Sequence, residues 1–138
     1  MQLSRYDLSY YERLFMDYHR YPTLIANRRA VLSVREVDEN VGGGKPNIMG
    51  KPVENLAVRC LTDKRLIFLE NVQESIHDTL DGLDDNTRKI IELRYFHNDE
   101  YNWKQVAKLF SYSPAQIYRI RYRVLETFAN RAGFCNTI

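Results

Sequence analysis

Ser113, Pro114 and Gln116 together set the point at which a helix must begin. A serine at the N-cap and a glutamine three residues on satisfy two orphan amides reciprocally. Proline suits the first helical position, where no N–H is needed. Beyond that start, Ile117, Ile120, Val124 and Phe128 recur in steps of three and four, with Leu125 beside them. Before it, Asn102–Phe110 carries Val106, Ala107, Leu109 and Phe110 as an apolar side, and Ser111-Tyr112-Ser113 is left as the turn. Ala107 is small where two helices have to approach closely. The pattern predicts a helix-turn-helix over Asn102–Phe128.

The face of the second helix opposite the apolar one carries Ala115, Gln116, Tyr118, Arg119, Tyr122 and Arg123. A tight turn followed by a helix with a cationic outer face is what is needed to seat a helix in a DNA major groove. Gln116, Arg119 and Arg123 share one edge and are the candidate base contacts, since glutamine pairs with adenine and arginine with guanine. Tyr118, Arg121 and Tyr122 on the flanks, Ser113 at the cap, and Lys104 and Lys108 on the first helix are the candidate backbone contacts. The same pattern also fits a helical hairpin whose arginines only solvate its exposed side.

Charge is divided along the chain in the same sense. Residues 101–138 hold six Lys or Arg and one acid, Glu126, while residues 1–100 are net −3. A basic segment on a mildly acidic body is an electrostatic footprint for nucleic acid, and binding through phosphates would weaken with salt.

The remaining periodicity is helical, with no alternating strand pattern, so the expected fold is all-α. A tyrosine-rich helix is expected over residues 4–20, carrying Leu8, Tyr11, Leu14, Phe15 and Tyr18. Tyr21-Pro22 should interrupt it. Thr23 then caps a helix over residues 24–35, with Leu24, Ile25, Val31 and Leu32 as its apolar side. Gly42-Gly43-Gly44 with Pro46 and Pro52 reads as a Gly-rich loop over residues 38–52. It is not a phosphate-binding loop, because Glu39 and Pro46 stand where that motif needs glycine and Ser or Thr. From Pro52 one long helix is expected to about Leu80, with Leu56, Ala57, Cys60, Leu61, Ile67, Phe68, Val72, Ile76 and Leu80 as its stripe. At ~1.5 Å per residue it would be roughly 40 Å long, and its stripe would need the N-terminal helices or a second copy of the chain to cover it. Asp81-Gly82 ends it, and three helices follow, over residues 84–96, 102–110 and 114–131. The expected division is therefore a helical scaffold over residues 1–82 and a DNA-binding unit over residues 83–138.

No catalytic constellation is visible. His19, His77 and His97 are scattered and do not stand at metal-ligand spacing with Cys60 or Cys135. The acidic pairs Asp38-Glu39 and Asp99-Glu100 have no nucleophile or base beside them. A non-enzyme without cofactor or metal is expected. The cysteines should be reduced thiols, with Cys60 a small core residue. Trp103 should pack on Tyr95 and Phe96. No apolar run could span a bilayer and there is no signal-peptide pattern, so a cytosolic protein with no membrane partner is expected.

Leu83-Asp84-Asp85-Asn86-Thr87-Arg88-Lys89-Ile90-Ile91-Glu92-Leu93-Arg94-Tyr95-Phe96 resembles the opening helix of region 4 of sigma-70-type factors, and the helix-turn-helix after it resembles the module that reads the −35 promoter element. One departure stands out: the family often has arginine and then an aliphatic residue where this chain has Ile120-Arg121. The N-terminal half does not resemble a sigma factor. Asp38-Glu39-Asn40-Val41-Gly42-Gly43-Gly44, followed by Pro52 and Glu54, is similar to RinA/ArpU-type phage late-gene transcriptional regulators. That resemblance covers nearly the whole chain. It implies a phage protein acting in a bacterial host cytoplasm, where it activates late genes for packaging and morphogenesis.

The resulting expectation is a sequence-specific activator that binds double-stranded DNA. Host RNA polymerase and a second copy of the chain are its further candidate partners. Two rivals stand beside it: a small terminase-like packaging protein, and a sigma or RNA polymerase interaction module that does not bind DNA.

Overall fold

The computed structural model describes residues 2–43 and 52–135. These are all-helical, with α1 Arg5–Met16, a 3-10 turn Tyr18–Arg20, α2 Tyr21–Gly43, α3 Pro52–Thr62, α4 Lys64–Asp81, α5 Asp85–Tyr95, α6 Trp103–Leu109 and α7 Pro114–Ala132. No strand occurs among the described residues. The chain forms two compact units: Met1–His19 with Val72–Ile138, and Arg20–Asn71. The boundary inside the second half therefore falls within α4, not after it, and α1 belongs with the C-terminal helices. A division at residue 82 is not how the chain packs.

The first unit is built on aromatic rings. The stripe of α1 buries Tyr11, Leu14 and Phe15. Phe15 is fully buried, 5.4 Å from the Tyr95 ring of α5 and 5.1 Å from Phe128 of α7. Tyr11 meets Phe128 edge-on and stacks on Phe134, with 13° between the planes of the stacked pair. Phe134 reaches that position because Gly133 closes α7 in the left-handed conformation, φ 81°, and turns the chain back. Glycine is favoured at such a cap because it has no Cβ to clash. Large rings bury 150–250 Å² each, so a short helix bearing several of them gains more from one aromatic core than from any local partner. Ile90, Ile91, Val106, Ile117 and Leu125 fill the space between α5, α6 and α7 and are fully buried.

Local signals set the helix starts. Ser4 and Asp7 make a capping box at α1, and Asp84 accepts from the Thr87 amide at α5. Hydrogen bonds from Thr87 hold the Asp84 carboxyl below the usual carboxylate range. Asn102 with Gln105 and Ser113 with Gln116 make capping boxes at α6 and α7. Arg88 donates to the carbonyl oxygens of Leu80, Asp81 and Leu83 and so closes the end of α4.

Three N-terminal expectations are corrected. First, α1 stops at Met16, and the interruption precedes Pro22, which lies in the first turn of α2. Proline is tolerated there because the first amides of a helix have no partner to lose. Second, α2 runs through Gly43. Glycine costs roughly 1 kcal/mol in a helix interior but does not clash, so Asp38–Gly43 continues the helix. The remainder of the expected loop, 44–51, lies outside the described residues. Third, the long helix from Pro52 is two helices with Asp63 between them.

At Asp63 the side-chain carboxylate takes the place of a backbone acceptor at the start of α4. Its Oδ2 accepts from the Leu66 amide at 2.9 Å, capping α4. Arg28 of α2 grips the same carboxylate, Nη2–Oδ1 at 2.6 Å and Nε–Oδ2 at 2.9 Å. Around this junction Tyr21, Ile25, Leu32, Leu66 and Leu69 form the core of the second unit. Leu61 and Ile67, expected in the buried stripe, are 76% and 47% exposed, and Val31 of α2 is 47% exposed.

Candidate nucleic-acid interface

The outer face of α7 can be built up from its caps. Helix α6 ends at Phe110, and the chain turns through Ser111, whose φ of 58° is in the left-handed region. The Tyr112 amide then donates to Ala107 O at 2.9 Å, which keeps the turn tight. The Tyr112 hydroxyl accepts from Asn86 Nδ2 at 2.8 Å, tying the turn to α5. Ile117, Ile120, Val124, Leu125 and Phe128 point inward and are buried. That set is the apolar face expected from the sequence, and it leaves the opposite face of α7 to solvent.

On that face, Gln116, Arg119 and Arg123 line a shallow concavity with Tyr112 and Ile120. The three residues expected at base edges are therefore brought together. Gln116 is partly engaged already: its Oε1 accepts from the Ser113 amide at 2.9 Å, while the Ser113 hydroxyl accepts from the Gln116 amide at 3.2 Å. Its amide group Nε2 is the part left to donate. Tyr118 is 43% exposed on the flank. The Tyr122 hydroxyl accepts from the Leu3 amide at 2.9 Å. Lys104 and Lys108 are exposed on α6 and lie outside the concavity.

Arg121 has a different role from the one expected. Its Nη2 is 2.6 Å from Glu12 Oε1 and its Nε 3.1 Å from Glu12 Oε2. The guanidinium is held inside the unit rather than offered to a backbone phosphate. This accounts for the order Ile120-Arg121: the aliphatic residue is buried against the unit, and the cation faces Glu12 of α1.

Glu12, which no sequence motif marks, organises this side of the unit. It is 8% exposed and accepts from Tyr95 Oη at 2.7 Å and Trp103 Nε1 at 3.0 Å as well as from Arg121. Burial alone would push its carboxyl up. The hydrogen bonds from Arg121, Tyr95 and Trp103, with the Arg121 charge, outweigh that and hold it below its ordinary value of 4.5. Tyr95 moves the other way, its phenol raised first by burial and then by the Glu12 charge. Trp103 packs edge-on to Tyr95 at 5.7 Å, as expected, whereas Phe96, its other expected partner, stacks on Tyr18 at 5.6 Å. A single acid on the apolar stripe of α1, beside Tyr11 and three residues before Phe15, was the available signal. An ionised group placed there needs a buried partner.

Two groups of basic side chains in the C-terminal helices contrast with one another. Arg88 and Arg121 are spent on internal acceptors, and Arg94 reaches Asp99 at 2.7 Å while lying over the Tyr95 and Trp103 rings. Arg119, Arg123, Lys104 and Lys108 are exposed and make no ion pair among the described residues. No cluster of His, Cys, Asp and Glu able to hold a metal occurs among the described residues, and the two cysteines are free and half-buried. No helix there is long and apolar enough to cross a membrane.

The folded chain is thus an all-helical protein whose α7 presents Arg119 and Arg123, cations that make no ion pair among the described residues. It belongs to the family described as "Protein of unknown function (DUF722)", which it matches over residues 10–130, from within α1 to the last turns of α7. No curated protein and no solved structure matches the chain.

Proposed function

We propose that this protein is a sequence-specific double-stranded DNA-binding transcriptional activator that uses α7 as its recognition helix. One observation carries the reading: Arg119 and Arg123 stand on a single exposed face of α7, beside Gln116, without an ion-pair partner among the described residues, while Arg88, Arg94 and Arg121 are committed internally. Unpaired guanidiniums on a helix face that starts at a tight turn match the chemistry of guanine edges and phosphates. The resemblance to RinA/ArpU-type regulators supports late phage genes as the target and the host cytoplasm as the setting. The backbone set is now Lys104, Lys108, Ser113, Tyr118 and Tyr122, without Arg121.

A protein partner is a second part of the reading. Val58 and Leu61 of α3 are 58% and 76% exposed, and these aliphatics favour contact with host RNA polymerase or a second copy of the chain. A mobility shift on duplexes selected from a random pool, repeated against salt, tests the DNA reading. Arg119→Ala and Arg123→Ala should each cost roughly 1–3 kcal/mol and relax preference at one base position. If neither variant changes affinity or preference, α7 is not the reading element.

A further inference from the structure

We infer that the N-terminal arm, taken as residues 2–4 with the first turn of α1 at Arg5 and Tyr6, is a second contact for the same duplex, lying on its phosphate backbone beside α7. The inference rests on the α7 reading above. Three observations converge on it. The Leu3 amide donates to the Tyr122 hydroxyl at 2.9 Å, and Leu3 itself is buried, so the arm is fastened to the flank of α7. Tyr122 stands one turn beyond Tyr118 and beside Arg123, on the rim of the cationic face. Arg5 follows Leu3 by two residues, within about 7 Å of chain.

Arg5 and Tyr6 are both turned outward. Tyr6 is 75% exposed, the Arg5 guanidinium lies 5.5 Å from the Tyr6 ring centre, and Arg5 has no carboxylate partner among the described residues. The nearby Asp7 keeps its negative charge, but its carboxylate is turned back onto the Ser4 amide at 2.8 Å, as part of the α1 capping box. The arm therefore offers an unpaired cation and an exposed hydroxyl-bearing ring next to the proposed groove face. Arginine and tyrosine are common donors to backbone oxygens, and such contacts fix orientation without carrying sequence information.

The test measures binding of the full chain to a random-sequence duplex of about 30 base pairs by fluorescence anisotropy, across about 50 to about 200 mM salt. The wild-type protein should bind with a negative salt slope. Arg5→Ala should make that slope shallower by about 0.9, so the variant loses about threefold less affinity over the range. Arg5→Lys should restore the slope, and the Arg5→Ala change should be the same on every duplex sequence. Thermal melts of each variant should match the wild type, because Arg5 is exposed. A wild-type chain that binds, is weakened by Arg119→Ala, and keeps its slope in Arg5→Ala and Arg5→Glu would overturn the arm and leave α7 standing. A wild-type chain that does not bind the duplex at low salt overturns both.

Discussion

Glu12→Ala is the substitution that bears hardest on how this protein is held together. It removes one acceptor that serves three donors: Tyr95 Oη, Trp103 Nε1 and the Arg121 guanidinium. Breaking a buried ion pair from one side costs about 3–5 kcal/mol when the stranded charge has no access to water. The Arg121 side chain keeps 21% of its exposure, so its own share falls at the low end of that range. Tyr95 is 2% exposed and Trp103 7%, and each loses a hydrogen bond at a site that water reaches poorly. An orphaned buried donor costs about 1–3 kcal/mol. These terms overlap, since the donors share one carboxylate, and the expected total is about 3–4 kcal/mol. That is a large fraction of the 5–15 kcal/mol a domain usually has. Urea denaturation followed by tryptophan fluorescence suits the measurement, because Trp103 is the only tryptophan and its indole touches Glu12 directly. Glu100→Ala, at an exposed position, is the control and should stay within about 0.5 kcal/mol of the wild type. In a cycle with Arg121→Ala the coupling should exceed about 1 kcal/mol. A loss below about 1 kcal/mol in Glu12→Ala, with no coupling to Arg121, would refute the assignment of Glu12 as the lock between α1 and α7.

The same carboxylate predicts an acid limb of stability. The folded Glu12 carboxyl titrates below its ordinary 4.5, so its contribution is fully present above pH 4.5 and is lost as pH falls through the folded value. Glu12→Gln should flatten that part of the stability profile between about pH 5 and pH 3, as read by urea midpoints at each pH. At the far end of α7, Gly133→Ala should lower stability by about 1 kcal/mol through its positive φ, although nothing within 4 Å would meet the new methyl group. A thermal melt checks it, with an expected drop of roughly 4 °C.

Helix starts were the most legible part of the fold. Ser113 and Gln116 cap α7 as their spacing required, and the stripe from Ile117 to Phe128 is buried as its period required. Capping and period are decided within one or two turns, and that information lies in adjacent residues. The reading failed where one local rule had to be weighed against another. Three consecutive glycines predict a stop, but α2 runs through Gly43. A nearly unbroken stripe predicts one helix, but Asp63 caps a new one. On the candidate site, the grouping of Gln116, Arg119 and Arg123 was legible because all three lie on one helix face. The loss of Arg121 from the backbone set was not.

The sequence alone determined that the chain is helical, where most of its C-terminal helices begin, and which side chains form the apolar face of α7. These depend on hydrogen bonds and side-chain spacing over four residues or fewer. Only the tertiary structure decided that α1 packs with α5–α7, and that of the three arginines in α7 before Val124, Arg121 is internal while Arg119 and Arg123 stay outside. Glu12 and Arg121 are 109 positions apart, so neither residue's neighbours could name its partner. An acid on one apolar stripe and a cation at the edge of another are each unfavourable when buried alone. They become stable when the fold brings them within 2.6 Å, and that pairing divides the arginines of α7 between structure and surface.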